Sequence, residues 1–399
     1  MQNRTRSRLS RLSPSACLAC VGLALLAAGC GGDASSPPVA TSGGPTKVKI
    51  GYLGLTCEAA MFVAQEKGFF EQEGLDVEFV KTDWDGLRDG LGLGKFDANY
   101  TLIMYLLKPI EQGLDVKITG GVHSGCLRLQ VGPKSSVASA ADLKGKKIGI
   151  PTMGSPPFLF ASRALAAQGL DPRTDVEWVV VAPEVMSLSV EKGQVDAVAT
   201  SEPLGSILTA QAGIRTVADQ AVDEPYRDEY CCATVLSGKF AASNPSGAAK
   251  VTRALLKGAL WVETNPTAAA GLAVDKKYVA SSAELNAQAI GKLKFMPAVA
   301  QCRESLGMAA REMKSAGLLN SATDPAELAA RAWLDLEGVS DDWIAGLQIE
   351  QVAGGGRPPV LTGPEIASLL AGEKDLRSLF CMGCEGMADP DLCGPRDND

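Results

Sequence analysis

The sequence predicts an α/β protein built from two halves of similar topology, and three recurrences in one register predict it. Ile50-Gly51-Tyr52 returns as Ile148-Gly149-Ile150, and Asp76-Val77-Glu78-Phe79-Val80 as Asp175-Val176-Glu177-Trp178-Val179. Gly94-Lys95-Phe96-Asp97-Ala98 returns as Gly193-Gln194-Val195-Asp196-Ala197, and the three offsets are 98, 99 and 99 residues. Two copies are too few for a solenoid, and duplicated α/β halves commonly face each other across a ligand cleft. The 399 residues give room for two domains, and 46% hydrophobic with 21% charged residues is a globular composition.

Each element can be justified in order. Lys47–Leu53 alternates and is β-branched, hence a strand. Glu58 to Lys67 is an apolar-rich helix closed by Gly68 in the C-cap place. Leu75–Val80 alternates apolar and acidic residues as a second strand, which completes a βαβ unit and implies a parallel sheet. Helix 84–93, strand 98–103, helix 105–112 and strands 116–120 and 127–131 follow, then a Ser-rich linker at 133–140. The second half begins with strand 147–150, helix 157–168, strand 176–181, helix 185–192, strand 197–200 and helix 201–211. Cys231–Leu236 reads as a strand returning to the first domain, and helices dominate 246–330. The expected domains are therefore a discontinuous lobe I (47–134 and 231–330) and an inserted lobe II (135–230). Crossings near 131–137 and 217–232 would form the hinge. Ala353–Pro359 (AGGGRPP) is a break, and 331–399 reads as a C-terminal extension with a helix at 363–371 and Cys381, Cys384 and Cys393.

The first 29 residues read as a signal peptide: Arg4, Arg6, Arg8 and Arg11 precede an apolar run from Ala16 to Ala28 that is short for a bilayer span. Leu26-Ala27-Ala28-Gly29-Cys30 resembles the lipobox of bacterial lipoproteins, which implies lipidation of Cys30; ordinary signal cleavage and an uncleaved anchor are the alternatives. Residues 30–46 are rich in Gly, Ser, Pro and Thr and suit a flexible tether. Without the signal the chain carries 34 basic and 46 acidic residues, net −12, so nucleic acid is not an expected partner. The remaining cysteines are 57, 126, 231, 232, 302, 381, 384 and 393. An exported compartment permits disulfides, but connectivity is not legible in the sequence.

Ala64-Gln65-Glu66-Lys67-Gly68-Phe69-Phe70 with Glu73-Gly74-Leu75-Asp76-Val77-Glu78, the two Gly-x-x-Asp-Ala segments, and Asp142-Leu143-Lys144-Gly145-Lys146-Lys147-Ile148-Gly149 carry a resemblance. Over residues 47–320 the chain resembles the periplasmic substrate-binding proteins of bacterial ABC importers. Its branch is similar to those for nitrate, sulfonate and taurine, which share a fold with binders of thiamine-pyrimidine precursors. The resemblance implies a two-lobed, type II-like periplasmic-binding-protein clamp that is monomeric and anchored at the membrane in the periplasm or at the cell surface. It further implies a small solute as ligand, an ABC permease and ATPase as partners, and no cofactor. An enzyme or sacrificial synthase on the same scaffold and a metal or metal-complex binder are the alternatives.

Strand C-terminal ends in such a clamp face the cleft, which nominates five loops. They carry Thr56, Cys57 and Glu58; Asn99, Tyr100 and Thr101; His123, Ser124 and Cys126; Thr152, Met153, Gly154 and Ser155; and Ser201 and Glu202. Thr152–Ser155 opens a helix whose free N–H groups would suit an anion. The loops hold Glu58 and Glu202 but no Lys or Arg, with Arg128 the nearest cation, so a multiply charged phosphate is a poor match. His123, the single histidine, makes H-x-x-C with Cys126. It reads either as a thiolate–imidazole metal site or as a hydrogen-bonding residue beside buried or bridged cysteines. The scatter of the sulfurs along the chain favours the second reading, and no metal is expected. No nucleophile–base–orienter set is visible, so binding without chemistry is expected.

Overall fold

The computed structural model describes residues 44–202 and 204–359 together with Leu361, Glu365 and Ser368; for Trp84, Ala210 and Gln211 the backbone alone is described. The expected signal peptide, Cys30, most of the tether, most of the tail helix 363–371 and Cys381, Cys384 and Cys393 lie outside the described residues.

In chain order the elements are β1 (Thr46–Tyr52), α1 (Ala59–Glu66), α2 (Phe69–Gln72), β2 (Leu75–Lys81), α3 (Trp84–Gly92), β3 (Ala98–Leu102), α4 (Ile103–Glu111) and β4 (Val116–Ser124). Then come β5 (Leu127–Val131), β6 (Lys147–Ile150), α5 (Pro156–Ala167), β7 (Glu177–Val180), α6 (Met186–Glu191), β8 (Ala197–Ser201), α7 (Leu204–Ala212), β9 (Arg215–Asp219) and β10 (Tyr230–Ser237). Helices follow: α8 (Gly238–Ser243), α9 (Pro245–Thr264), α10 (Pro266–Asp275), α11 (Ala283–Ile290), α12 (Ala300–Ser315), α13 (Pro325–Ala332) and α14 (Asp341–Ala345).

The strands make two five-stranded sheets, ordered β2-β1-β3-β10-β4 and β7-β6-β8-β5-β9. In each, three parallel strands are followed by one antiparallel to both of its neighbours. That fourth strand is a crossing strand in both cases: β10 enters the first sheet as the chain returns, and β5 enters the second as the chain arrives. The sequence echoes now have a physical content. The Asp97 carboxylate accepts the Lys49 N–H at 2.9 Å while Asp97 N–H donates to the Lys49 carbonyl at 2.9 Å. Asp196 does the same with Lys147, at 2.9 and 2.8 Å. Gly94 and Gly193, opening the two segments, have φ of 70° and 68°, where a side chain would be strained.

Four sequence expectations need correction. Leu127–Val131 belongs to the second sheet, so the first crossing is at Gly125-Cys126 and not at 131–137. There Gly125 (φ 78°) and Cys126 (φ 136°) turn the chain out of β4. The Ser-rich stretch 133–140 is a loop leading into β6, not a hinge. Strand β4 runs on through Gly120-Gly121 to Ser124, and Gly121 lacks a Cβ where the Tyr230 ring fills the space one would need (2.3 Å). Strand β9, an edge strand, was missed.

The expected extension starting at 331 is also corrected, since residues 331–359 are part of the body. Ala332 is buried, Trp333 bridges Ile118, Val352 N–H donates to Asn265 at 2.7 Å, and Thr267 N–H donates to the Gly355 carbonyl at 3.0 Å. The main core lies between the first sheet and α1, α4, α9 and α12, and it continues across α5 to the inner strands of the second sheet.

Candidate functional site

The first turn is built by its own carboxylate. Glu58, 2% exposed, accepts the N–H groups of Leu53 (3.0 Å), Gly54 (2.7 Å) and Leu55 (2.8 Å), so its oxygens face its own loop. Burial outweighs these hydrogen bonds and raises its pKa to about 7. Thr56 Oγ1 donates to Asn286 at 2.7 Å, and the Tyr100 hydroxyl donates to the Cys57 carbonyl. Asn99 Nδ2 donates to the Leu87 carbonyl at 3.0 Å. These contacts fix the β1–α1 turn against β3 and leave Cys57 pointing inward, 4% exposed.

Strand β10 runs antiparallel to β3 and β4, so its start lies at their C-terminal ends. Cys232 pairs with Leu102 on one side and His123 on the other. The consequence is a cluster that the sequence order conceals. The sulfurs of Cys57 and Cys232 and a ring nitrogen of His123 all lie within 4.8 Å of one another, and all three residues are buried. Cys126 and Cys231 are buried as well, and the four thiols influence one another's ionisation. The expectation of scattered sulfurs is therefore overturned. Cys231 and Cys232 were missed as site residues; the signal was the Cys-Cys pair opening the strand that returns to the first sheet.

His123 packs edge-on to Tyr100 (5.9 Å) and against Phe295 (5.0 Å), Nδ1 lies 3.4 Å from the Ser124 carbonyl, and Nε2 has no partner. Burial lowers its pKa and keeps the ring neutral. The neighbouring Cys231 and Cys57 thiols push the Cys126 thiol well down, while the other three thiols are pushed well up.

On the second sheet Glu202 accepts from Arg128 Nη2 at 2.6 Å and Ser206 Oγ at 2.8 Å, and Arg128 Nε also pairs with Asp219 at 3.0 Å. Arg128, the cation nearest the expected loops, is thus neutralised. Glu202 N–H donates to the Cys126 carbonyl at 2.9 Å, tying β8 to the crossing. Burial raises the Glu202 pKa against the pull of Arg128 and Lys292.

The Thr152–Ser155 loop is separate from this cluster. Thr152, Met153 and Gly154 are exposed, with Met153 at 57%. The helix they precede starts at Pro156, and Pro157 follows, so two of the N–H groups expected to hold an anion do not exist. Gly154 lines a 560 Å³ cleft with Phe158 and Leu159 of α5, facing Arg88, Tyr105 and Lys108 of α3 and α4. Arg88 pairs there with Asp85 (3.1 Å) and Asp89 (2.6 Å), and Lys108 with Glu111. Eight buried side-chain atoms among the described residues lack a partner, and four belong to expected site residues: Asn99 Oδ1, Thr101 Oγ1, His123 Nε2 and Ser155 Oγ. Buried polar groups without partners are rare, so these four atoms mark their residues as candidates for a site. Ser124 is buried and Ser201 half-buried.

The sequence profile of the NMT1-like family matches residues 42–274, more than half of the chain. The chain belongs to the NMT1-like family. Among curated relatives it is 26% identical over 288 residues to the nitrate/nitrite binding protein NrtA of a Nostoc species, covering 66% of this chain and 64% of that one. It thus spans less than two thirds of that relative. It is 37% identical over 142 residues to a Haemophilus influenzae protein named for thiamine biosynthesis, covering 35% of this chain and 44% of that one. Among solved structures it is similar to the periplasmic nitrate-binding protein NrtA of Synechocystis, with TM-score 0.61 and 18% identity over 83% of this chain and 99% of that one. That likeness shows the two-lobed α/β fold of periplasmic binding proteins.

Proposed function

We propose that this NMT1-like chain is the solute-binding component of an ABC-type importer, capturing a small solute between its two sheets and handing it to a membrane permease. The observation that carries the reading is the paired sheet order with two crossings, at 125–126 and 220–229, supported by the Glu202 N–H bond from the end of β8 to the Cys126 carbonyl at the first crossing. A clamp of this form binds because both lobes contribute contacts only when closed, so ligand shifts the open–closed equilibrium. The unpartnered atoms of Asn99, Thr101 and Ser155 are polar groups such a ligand would satisfy. Relatives named for nitrate binding and nitrate import support the transport role. The lipobox resemblance supports attachment to the membrane through Cys30.

Nitrate or a sulfonate remains the solute class suggested by resemblance. Against a strongly charged anion stand the paired state of Arg88, Lys108 and Arg128 and the prolines at the start of α5. A thermal-shift screen of the purified chain against nitrate, bicarbonate, taurine, alkanesulfonates and pyrimidines tests the reading. A saturable rise in Tm with one of these, lost in Asn99→Ala, is expected. Unchanged melting with every solute, together with unchanged small-angle scattering, would remove the clamp reading.

A further inference from the structure

We propose that Cys57, Cys232 and His123, bordered by Cys126 and Cys231, form a binding site for one thiophilic metal ion of the Zn(II) or Cu(I) class. The site stands on these side chains alone and goes beyond the solute-clamp reading. Its donors already lie within 4.8 Å of one another. A tetrahedral ion with metal–sulfur bonds of about 2.3 Å sets sulfur–sulfur separations of roughly 3.8 Å, so contraction by about an ångström completes the site. The Ser124 carbonyl beside Nδ1 favours the His123 tautomer with Nε2 bare, the form a metal takes. Nε2 is fully buried and has no other partner, a cost with no return unless something binds it. Charge balance agrees, because two thiolates and a neutral imidazole neutralise a divalent ion and the complex can stay in a dry interior.

Ordinary core cysteines do not need this arrangement. Cys302 is equally buried in α12 but is not part of the group formed by Cys57, Cys232 and His123. The three donors come from three chain segments, the β1–α1 turn, the end of β4 and the start of β10. Cys126 is held at φ 136°, a strained backbone state for a non-glycine residue. Strain of that kind persists where the surroundings impose a side-chain position. Cys126 and Cys231 lie on or beside the two crossings, so an ion here would bind both strands of the hinge.

The test uses the purified chain, reduced and stripped of metal. Zn(II) and, anaerobically, Cu(I) are titrated against chromophoric competitors, and Co(II) serves as a spectroscopic probe. One ion per chain is expected, with a near-ultraviolet sulfur-to-cobalt charge-transfer band. Cys57→Ser and Cys232→Ser should weaken binding by more than the roughly 10–100-fold typical of losing an outer-shell partner, and His123→Gln should change the cobalt ligand-field bands. Cys302→Ser and a variant carrying Cys381→Ser, Cys384→Ser and Cys393→Ser should bind as the parent does. The proposal is overturned if the reduced chain binds no ion, if binding survives Cys57→Ser with Cys232→Ser, or if it disappears with the tail variant. Peptide mapping that finds disulfides among Cys57, Cys126, Cys231 and Cys232 in the chain as isolated would also overturn it. Metal binding without any solute response removes the clamp and keeps the site; a solute response without metal does the reverse.

Discussion

At the residue scale, the most consequential side chains are those whose partners lie far along the chain. Glu58 was visible as a carboxylate near a strand end, but its role as acceptor for three N–H groups of its own turn required the turn itself. Its raised pKa gives a signed prediction. A folded-state pKa of about 7 against the usual 4.5 means that the native chain holds the proton more tightly. The corresponding stability is full below pH 4.5 and is lost as pH rises through 7, about 3 kcal/mol in all. Glu58→Gln should flatten this limb of the stability–pH curve, measured by chemical denaturation from pH 4 to 8. A wild-type curve with no fall between pH 4.5 and 7 would contradict it.

At the element scale, the echoes in the sequence became two Asp residues that fasten neighbouring strands in the same way, and that much was legible because the bonds are local to the repeat. Interelement contacts were not. Gly258 sits inside α9 where a helix-breaking residue has no local reason. A Cβ there would lie 2.1 Å from the Ala60 carbonyl oxygen of α1. Gly258→Ala gains about 1 kcal/mol of helix propensity but forces two packed helices apart, which typically costs about 1–3 kcal/mol. The backbone oxygen cannot rotate away, so the clash should win and Tm should fall. A stabilised variant would show that α1 and α9 do not approach this closely. Strand β10 makes the same point for the site: its pattern marked it as a strand, but only its antiparallel pairing beside His123 brought Cys232 to Cys57.

At the scale of the whole molecule, one buried cation links the two sheets. Arg163 of α5 donates to Glu229 at 2.8 and 2.9 Å and to Glu312 of α12 at 2.7 and 2.9 Å. Glu229 lies on the second crossing, so this triad fastens the helix of one lobe to the hinge and to a helix behind the other sheet. Removing one partner of a buried ion pair typically costs about 3–5 kcal/mol because the other charge is stranded. Arg163→Met should therefore destabilise by that order and enlarge the radius of gyration in solution scattering, while the double variant Arg163→Met/Glu229→Gln should recover part of the loss. Equal destabilisation of the single and double variants would argue against the triad as a closure device.

The sequence by itself determined the α/β class, the duplication, most strands and helices, and the turns at which the candidate site was sought. Those follow from periodicity, turn glycines and repeated residues, all of which act over a few positions. Only the tertiary structure decided where the chain crosses between sheets, that residues 331–359 belong to the body, and that Cys57 and Cys232 meet the single histidine. Strand order and burial depend on which surfaces find each other after long loops close. Contacts between residues 57, 123 and 232 leave no periodic trace in the chain between them.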